Sequence, residues 1–283
     1  MTIESKREQL LATLRDMESV AVAFSGGVDS AVVAQAAFLA LGDKAIAVTA
    51  HSPSVAQQER DDAARIAQQI GIKHLIIKTD EFSNPAYLQN DGSRCYHCKT
   101  ELYEQIMAQA PLLHVKHVVS GANLDDRGDY RPGLKAALEH GVRHPLQEAN
   151  CSKADVRELA RGWNLPIWDK PASPCLSSRL VPGLAVTTER THRIEAAEAY
   201  LRTLGLVEFR VRLHEGELAR IEVSPDSIAW LSDPDRRQQL TDHLLQLGFR
   251  FVTLDLVGFR SGSMNELIPL ETKRRFQNHR VSS

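Results

Sequence analysis

The sequence predicts an α/β protein: a doubly wound parallel sheet followed by a smaller C-terminal α+β domain. Two observations carry this. Over the first 170 residues, short apolar runs of strand length alternate with amphipathic stretches of helix length. Such continuous apolar strands belong to a parallel sheet covered on both faces. Beyond the loop Asp169–Pro182 (DKPASPCLSSRLVP) the rhythm changes to a helix, a strand pair and a further helix and strand, the order of an α+β unit. At about 150 residues per domain, 283 residues leave room for two.

The elements follow in order. The first strand, Ser19–Phe24, runs through Ser25-Gly26-Gly27 into a helix at Asp29–Leu41. The second strand, Ala45–Ala50, leads to a helix near Val55–Ile70 that Ser54 caps, with Gln57 three residues on. His74–Lys78 is the third strand, Tyr96–Gln109 a helix and His117–Ser120 the fourth strand. Ser152–Gly162 closes the set with a capping box of Ser152 and Asp155. Ligands of such a sheet gather at the carboxyl ends of its strands. The domain boundary is set at the end of the proline-rich loop, giving domains 1–182 and 183–283. The second holds a helix (Thr188–Leu204), strands Glu208–Leu213 and Leu218–Val223 around a His-Glu-Gly turn, a helix (Asp235–Leu247) and a strand (Arg250–Leu256), in a mostly antiparallel sheet.

Composition narrows the function. A net charge of −2 argues against a broad nucleic-acid-binding surface. The charge-free stretch Ser30–Gly42 is thirteen residues, too short to span a bilayer. The opening MTIESKREQLLATLRDM has no apolar run of the signal-peptide kind. The expectation is a cytoplasmic globular protein with no membrane and no nucleic-acid partner. Its four cysteines are then thiols, metal ligands or redox groups rather than structural disulfides.

Ser25-Gly26-Gly27-Val28-Asp29-Ser30 stands between a strand and a helix. Two glycines let the backbone approach an anion closely, and the uncapped N–H groups of the helix then face it. Ser25 and Ser30 can donate to phosphate oxygens, and Asp29 can hold a magnesium ion. The plain alternative is a glycine turn in which Asp29 or Ser30 caps the helix. No lysine follows, so this is not the loop of the NTPases that cut at the γ-phosphate. The motif resembles the PP-loop of ATP pyrophosphatases, which cleave ATP between the α- and β-phosphates and pass AMP to a carboxyl or carbonyl oxygen. That resemblance implies adenine near the end of the second strand, at Thr49, Ala50 and His51. It also implies a second loop at Gly121-Ala122-Asn123-Leu124-Asp125-Asp126, although Asn and Asp also simply make turns.

Cys95 and Cys98, in RCYHCK at a helix start, put both sulfurs on one face. Such a pair binds zinc, anchors an iron–sulfur cluster or forms a redox disulfide. The helix terminus and Lys99 favour thiolate. Cys175 is the natural third ligand if the proline-rich loop folds over the sheet edge, and Cys151 reads as a plain thiol. In Phe209-Arg210-Val211-Arg212-Leu213 the period of two sends Arg210 and Arg212 to one face. Either that face is an exposed basic one or an anion sits between the arginines. Ser177, Ser178 and Arg179 are possible co-ligands.

Together these motifs resemble the LarE sulfur transferases, which help to make the nickel-pincer nucleotide cofactor of lactate racemase. The resemblance runs nearly end to end. It adds Asp129–Ala136 (DYRPGLKA), the Ser177-Ser178-Arg179 loop and Gly248–Asn265 (GFRFVTLDLVGFRSGSMN). It implies that MgATP adenylates a carboxylate of a pyridinium-3,5-dicarboxylate mononucleotide, and that sulfur then displaces AMP to leave a thiocarboxylate. Carried over by motif, Ser25, Gly26, Gly27, Asp29, Ser30, Thr49, His51 and Gly121 bind the nucleotide. Ser178, Arg210, Arg212 and Glu198 hold the substrate phosphate, and Asp29, Lys99 and Cys175 are the catalytic candidates. The family's best-known members donate sulfur from their own cysteine, five residues before the arginine of SSR. Here that place is Pro174, and those members lack the CxxC. The chain therefore resembles the branch in which three cysteines, Cys95, Cys98 and Cys175, hold a [4Fe–4S] cluster. A sulfide or cysteine-desulfurase sulfur source and a homo-oligomer are implied with it. The competing readings are sacrifice of Cys175, a tRNA thiolase, an amidotransferase, and a nucleotide-binding regulator with a structural zinc.

Overall fold

A computed structural model describes residues 1–277 except Gly128, Asp129, Ala172 and Ser261. Asp129 of the DYRPGLKA motif, Ser261 of the C-terminal motif and residues 278–283 of the expected second domain thus lie outside the described residues. In chain order the elements are α1 (Ile3–Asp16), β1 (Val20–Ala23), α2 (Val28–Leu41), β2 (Ala45–His51), α3 (Gln57–Ile70), β3 (Lys73–Lys78), α4 (Pro85–Leu88), α5 (Arg94–Leu113), β4 (His117–Val119), α6 (Pro132–Glu139), α7 (Pro145–Glu148), α8 (Lys153–Gly162), α9 (Thr188–Thr203), β5 (Phe209–His214), β6 (Leu218–Val223), α10 (Pro225–Leu231), α11 (Pro234–Gln246), β7 (Phe251–Leu254) and α12 (Leu270–Gln277). The chain divides into two compact units. One is Met1–Glu81, Cys95–Ser173 and the described part of Lys273–Ser283; the other is Phe82–Arg94 with Pro174–Thr272.

The first unit is built on a four-stranded parallel sheet in the order β3-β2-β1-β4. The two central strands, β1 and β2, are apolar on both faces because both faces are covered, whereas the edge strand β3 carries Lys73, His74 and Lys78 and is largely exposed. Val20 and Val22 of β1, with Ala45 and Ala47 of β2, join a core with α1, α2, α3 and α8. The alternate residues Ala21, Ala23, Ile46 and Val48 join a second core with α5 and α6. That alternation is the period of two of a strand. The chain builds outward from β1 through β2 to β3, then returns to place β4 on the other side of β1. Strand order therefore reverses between β1 and β4, and a crevice opens at their carboxyl ends. The loops that follow these two strands are Ser25–Ser30 and Gly121–Asp126.

One expectation is corrected here. The helix after β2 starts at Gln57 with Ala56 as its N-cap. The Ser54 hydroxyl instead donates to the buried carboxylate of Glu81 (3.0 Å). The polar opening segment forms α1, which buries Leu10, Leu11 and Leu14. The capping box of Ser152 and Asp155 is present as expected.

The second unit carries a three-stranded sheet, β5-β6-β7. Its sheet was expected to be mostly antiparallel, but only β5–β6 is; β6–β7 is parallel. The two helices α10 and α11 lie between β6 and β7 in sequence. A helical crossover of that length returns the chain in the same direction. The segment Phe82–Arg94 joins this unit through specific bonds. Asn90 donates to the carbonyls of Val181 (2.9 Å) and Leu184 (3.1 Å), Tyr87 meets Ser177 (2.8 Å), and Arg94 donates to the Ser177 carbonyl (2.7 Å). No described helix is long and apolar enough to cross a membrane.

Two half-buried histidines give the fold a pH dependence. His74 and His144 of the first unit are held below the ordinary histidine value of 6.5, in each case chiefly by burial, which disfavours the charged ring. The folded protein then binds fewer protons than the unfolded chain just below pH 6.5. Stability is complete above that value and is lost as pH falls through it. Thermal scans should show a melting temperature a few degrees lower at pH 5.5 than at 7.5, with a smaller drop in His144→Gln.

Candidate active site

The phosphate loop takes the form that anion binding requires. Gly26 adopts φ +72°, and a Cβ there would lie 2.8 Å from the Ala63 Cα of α3. Gly27 is the N-cap of α2 and supplies no side-chain cap. Neither Asp29 nor Ser30 takes that role: both lie inside the helix. The Ser30 hydroxyl donates to the Gly27 carbonyl (3.0 Å), accepts from the Ser25 N–H (3.2 Å), and lies 3.2 Å from the Ser25 hydroxyl. The first-turn N–H groups of α2, at the positive end of its dipole, are left for a ligand. Gly121 is packed directly onto this turn. A Cβ on it would come within 2.7 Å of the Ser30 nitrogen and 2.8 Å of the Asp29 carbonyl carbon.

Asp29 is held from two sides. Asn123 donates to its Oδ1 (3.0 Å), and Lys153, in the first turn of α8, donates to its Oδ2 (2.5 Å). Asn123 also makes the turn, its Oδ1 accepting from the Asp125 N–H (2.9 Å). Lys153 was not singled out from sequence. It lies 124 residues from Asp29, and a lysine after a helix cap carries no local signal. Asp29 is the loop's one carboxylate and fits as a magnesium ligand, with Lys153 as a cation beside any phosphate bound there. Thr49 is buried, and its hydroxyl donates to the Phe24 carbonyl (2.9 Å). It therefore accepts from His74 Nε2 (2.8 Å), so His74 carries its proton on Nε2. His51 is exposed at the end of β2.

All four cysteines are thiols with no disulfide between them. Cys151 is fully buried, and burial, with Asp155 nearby, pushes its thiol up to about 11. It is a packing residue. Cys95 is exposed and Cys98 half-buried, one turn apart at the start of α5 in the first unit. Lys99 packs its stem against Gly133 of α6, where a Cβ would lie 3.0 Å from Lys99 Cγ, and its ammonium is 5.9 Å from the Tyr103 ring centroid. Cys175, half-buried, belongs to the second unit and caps the 3-10 turn Leu176–Arg179. Among the described residues no three His, Cys, Asp or Glu side chains are grouped to hold a metal. The donor chemistry of the pair Cys95 and Cys98, two thiols on one helical turn, is that of soft-metal or redox ligands.

In the second unit Ser178, Arg212 and Glu198, three of the expected phosphate ligands, join one hydrogen-bond network through Arg179. Arg210 and Arg212 do share a face of β5, and opposite them on β6 stand Glu222 and Arg220. That face is neither exposed nor uniformly basic. Arg212 and Glu222 are buried and bonded (2.8 and 2.9 Å), and Arg212 also reaches the Ser178 carbonyl (3.4 Å) and the Ser263 hydroxyl (3.4 Å). Arg220 pairs with Glu222 (2.9 Å) and with Asp255 (3.5 Å). Arg210 lies 5.0 Å from the Phe259 ring centroid, its guanidinium value lowered first by burial and then by Arg179. Glu198 of α9 is bonded to Arg179 through both oxygens (3.0 and 3.2 Å). Among these described side chains, arginines 179, 210, 212 and 220 face carboxylates 198, 222 and 255.

Two substitutions test the nucleotide loop. Gly121→Ala should cost about 1–3 kcal/mol of stability through overpacking and weaken ATP binding at least about 10-fold by displacing the α2 N-terminus. Lys153→Ala should weaken ATP binding about 10-fold, the size of one lost charge-assisted bond. Calorimetric titration with MgATP checks both.

Comparison with known proteins agrees with this geometry. The family model described as NAD synthase matches residues 7–97, the stretch that holds β1, the phosphate loop and β2. The chain is 44% identical over 94% of its length to the Synechocystis sp. protein slr1717, covering 99% of it. It is 40% identical over 94% of its length, and 96% of the relative's, to the pyridinium-3,5-bisthiocarboxylic acid mononucleotide synthase of Lactiplantibacillus plantarum. A tRNA-specific 2-thiouridylase of Xanthobacter autotrophicus is 30% identical over 63% of this chain and 55% of its own. The uncapped phosphate loop and the end-to-end match to the synthase have one explanation: the chain belongs to the LarE family of ATP-dependent sulfur transferases, in the PP-loop ATP pyrophosphatase superfamily.

Proposed function

We propose that the protein adenylates a carboxylate of pyridinium-3,5-dicarboxylate mononucleotide and converts it to a thiocarboxylate, in nickel-pincer nucleotide biosynthesis. The observation that supports this beyond family membership is the network of the second unit. There Cys175, Ser178 and Arg212 are joined in sequence by hydrogen bonds: Ser178 donates to the Cys175 carbonyl (2.6 Å) and Arg212 to the Ser178 carbonyl (3.4 Å). A sulfur-bearing residue and candidate ligands of a substrate phosphate thus form one structure.

In this reading the glycine loop and the α2 N-terminus bind the triphosphate, with Lys153 compensating its charge. Asp29 holds magnesium, which neutralises the phosphate oxygens. A substrate carboxylate oxygen attacks the α-phosphorus and pyrophosphate leaves. Sulfur then attacks the acyl carbon, and AMP departs with the bonding pair. Backbone N–H groups and Lys153 stabilise the charge that develops. Binding both partners in one complex removes the entropic cost of bringing them together. Arg210, Arg212 and Ser178 orient the mononucleotide by its phosphate.

Cys95, Cys98 and Cys175 are proposed as ligands of a [4Fe–4S] cluster, which when bound by three thiolates supplies an open iron for an exchangeable sulfide. Cys95 and Cys98 both lie in the first turn of α5. Exogenous sulfide or a cysteine desulfurase is the proposed source of sulfur, and a homo-oligomer the proposed assembly. Protein purified anaerobically should contain about four irons and matching acid-labile sulfide per chain, lost in Cys98→Ala, and should release pyrophosphate only with the pyridinium mononucleotide. Zinc, or no metal, in protein that still forms one thiocarboxylate per chain would replace the cluster with Cys175 as a consumed donor.

A further inference from the structure

Glu198 was carried over as a ligand of the substrate phosphate, but its surroundings give it other work. Both of its oxygens accept from Arg179, at 3.0 and 3.2 Å, and Oε1 also accepts from the Val211 N–H of β5 (3.2 Å). The two side chains are only 4% and 9% exposed. A carboxylate has no proton to donate to a phosphate and repels its charge.

Arg179 uses its remaining nitrogen on the backbone beside the cysteine. Its Nη1 donates to the carbonyls of Pro174 and Cys175 (3.0 Å to the latter) and lies 3.2 Å from the Ser178 hydroxyl. The Cys175 carbonyl also accepts from the Ser178 N–H (2.9 Å) and hydroxyl (2.6 Å). Three donors on one carbonyl fix the peptide after Cys175, and the bond to the Pro174 carbonyl fixes the one before it. With the backbone clamped on both sides, the thiol keeps only its χ1 rotation.

We infer that Arg179 is the positioning residue of the sulfur-transfer step, aiming Cys175 by clamping its two flanking peptides, and that Glu198 acts through Arg179 rather than on the substrate. The inference rests on the reading that Cys175 serves the transfer, whether as a cluster ligand or as a donor. A mis-aimed sulfur leaves the acyl-adenylate to water. Water oxygen then attacks the acyl carbon, AMP leaves with the bonding pair, and a proton goes to solvent, regenerating the carboxylate. Pyrophosphate is released with no thiocarboxylate formed.

The test measures thiocarboxylate formed per pyrophosphate released, KM for the pyridinium mononucleotide, and the iodoacetamide alkylation rate of Cys175, in wild type, Arg179→Lys and Glu198→Gln. The expected result is a yield per pyrophosphate at least tenfold lower in both variants. KM should stay within twofold, pyrophosphate release within threefold, and Cys175 alkylation should change at least threefold. A tenfold rise in KM with the yield unchanged would make Glu198 a substrate ligand and overturn the inference. So would all three quantities staying at wild-type values. If the single variants do not fold, R179M/E198M removes both charges together and leaves neither buried alone, and the same outcomes apply. Failure of the wild type to release pyrophosphate with the mononucleotide would instead refute the proposed substrate, and the alkylation rates alone would then decide the role of Arg179.

Discussion

The start of α2 is held between two backbones, that of α3 at Ala63 and that of the loop after β4 at Gly121, and on both sides the space that a methyl group needs is missing. This crowding fixes where the helix dipole points. It also fixes the position of Asp29, which rides on the first turn, and so the place where Asn123 and Lys153 must come to meet it. The sheet order supplies the rest. Because β4 lies against β1 and not beyond β3, its loop is the one that reaches the phosphate loop. A loop assembled this way depends little on side chains that could relax, and more on backbone that has no room to move.

The second unit solves a different problem, the burial of charge. Buried guanidinium and carboxylate groups are costly unless each is bonded, and breaking one such pair costs about 3–5 kcal/mol because a partner is left charged in the interior. Here the pairs are chained. Glu198 serves Arg179, and Glu222 serves both Arg212 and Arg220. The chain ties α9, β5, β6 and the Cys175 loop into one frame.

Much of this was legible in the sequence wherever the cause was local. Apolar runs marked β1 and β2, the Gly-Gly pair marked the phosphate loop, and the period of two correctly placed Arg210 and Arg212 on one face. What failed was long-range. Ser54 and Gln57 imitate a capping box, yet the Ser54 hydroxyl is taken by Glu81, 27 residues on. Alternation along β5 could not reveal that its polar face is buried, because that depends on Glu222 and Ser263 from distant segments. The partnership of Lys153 with Asp29 has no sequence signature at all. α1 was read only as a charged segment because three leucines bury it while most of its other residues are polar.

The segment Phe82–Arg94 has a bearing on how the protein is made. It is flanked in sequence by parts of the first unit, yet its hydrogen bonds go to residues 177–186. During synthesis it leaves the ribosome some ninety residues before those partners exist, and at about 5–20 residues per second it waits for several seconds. In that interval Tyr87, later buried, has no native surface to cover it, and Cys95 and Cys98 follow immediately behind. The nascent chain thus presents an uncovered aromatic beside a pair of thiols, the kind of exposed apolar surface that chaperones bind. Translation speed through residues 95–186 becomes a variable in whether the second unit closes around its missing piece.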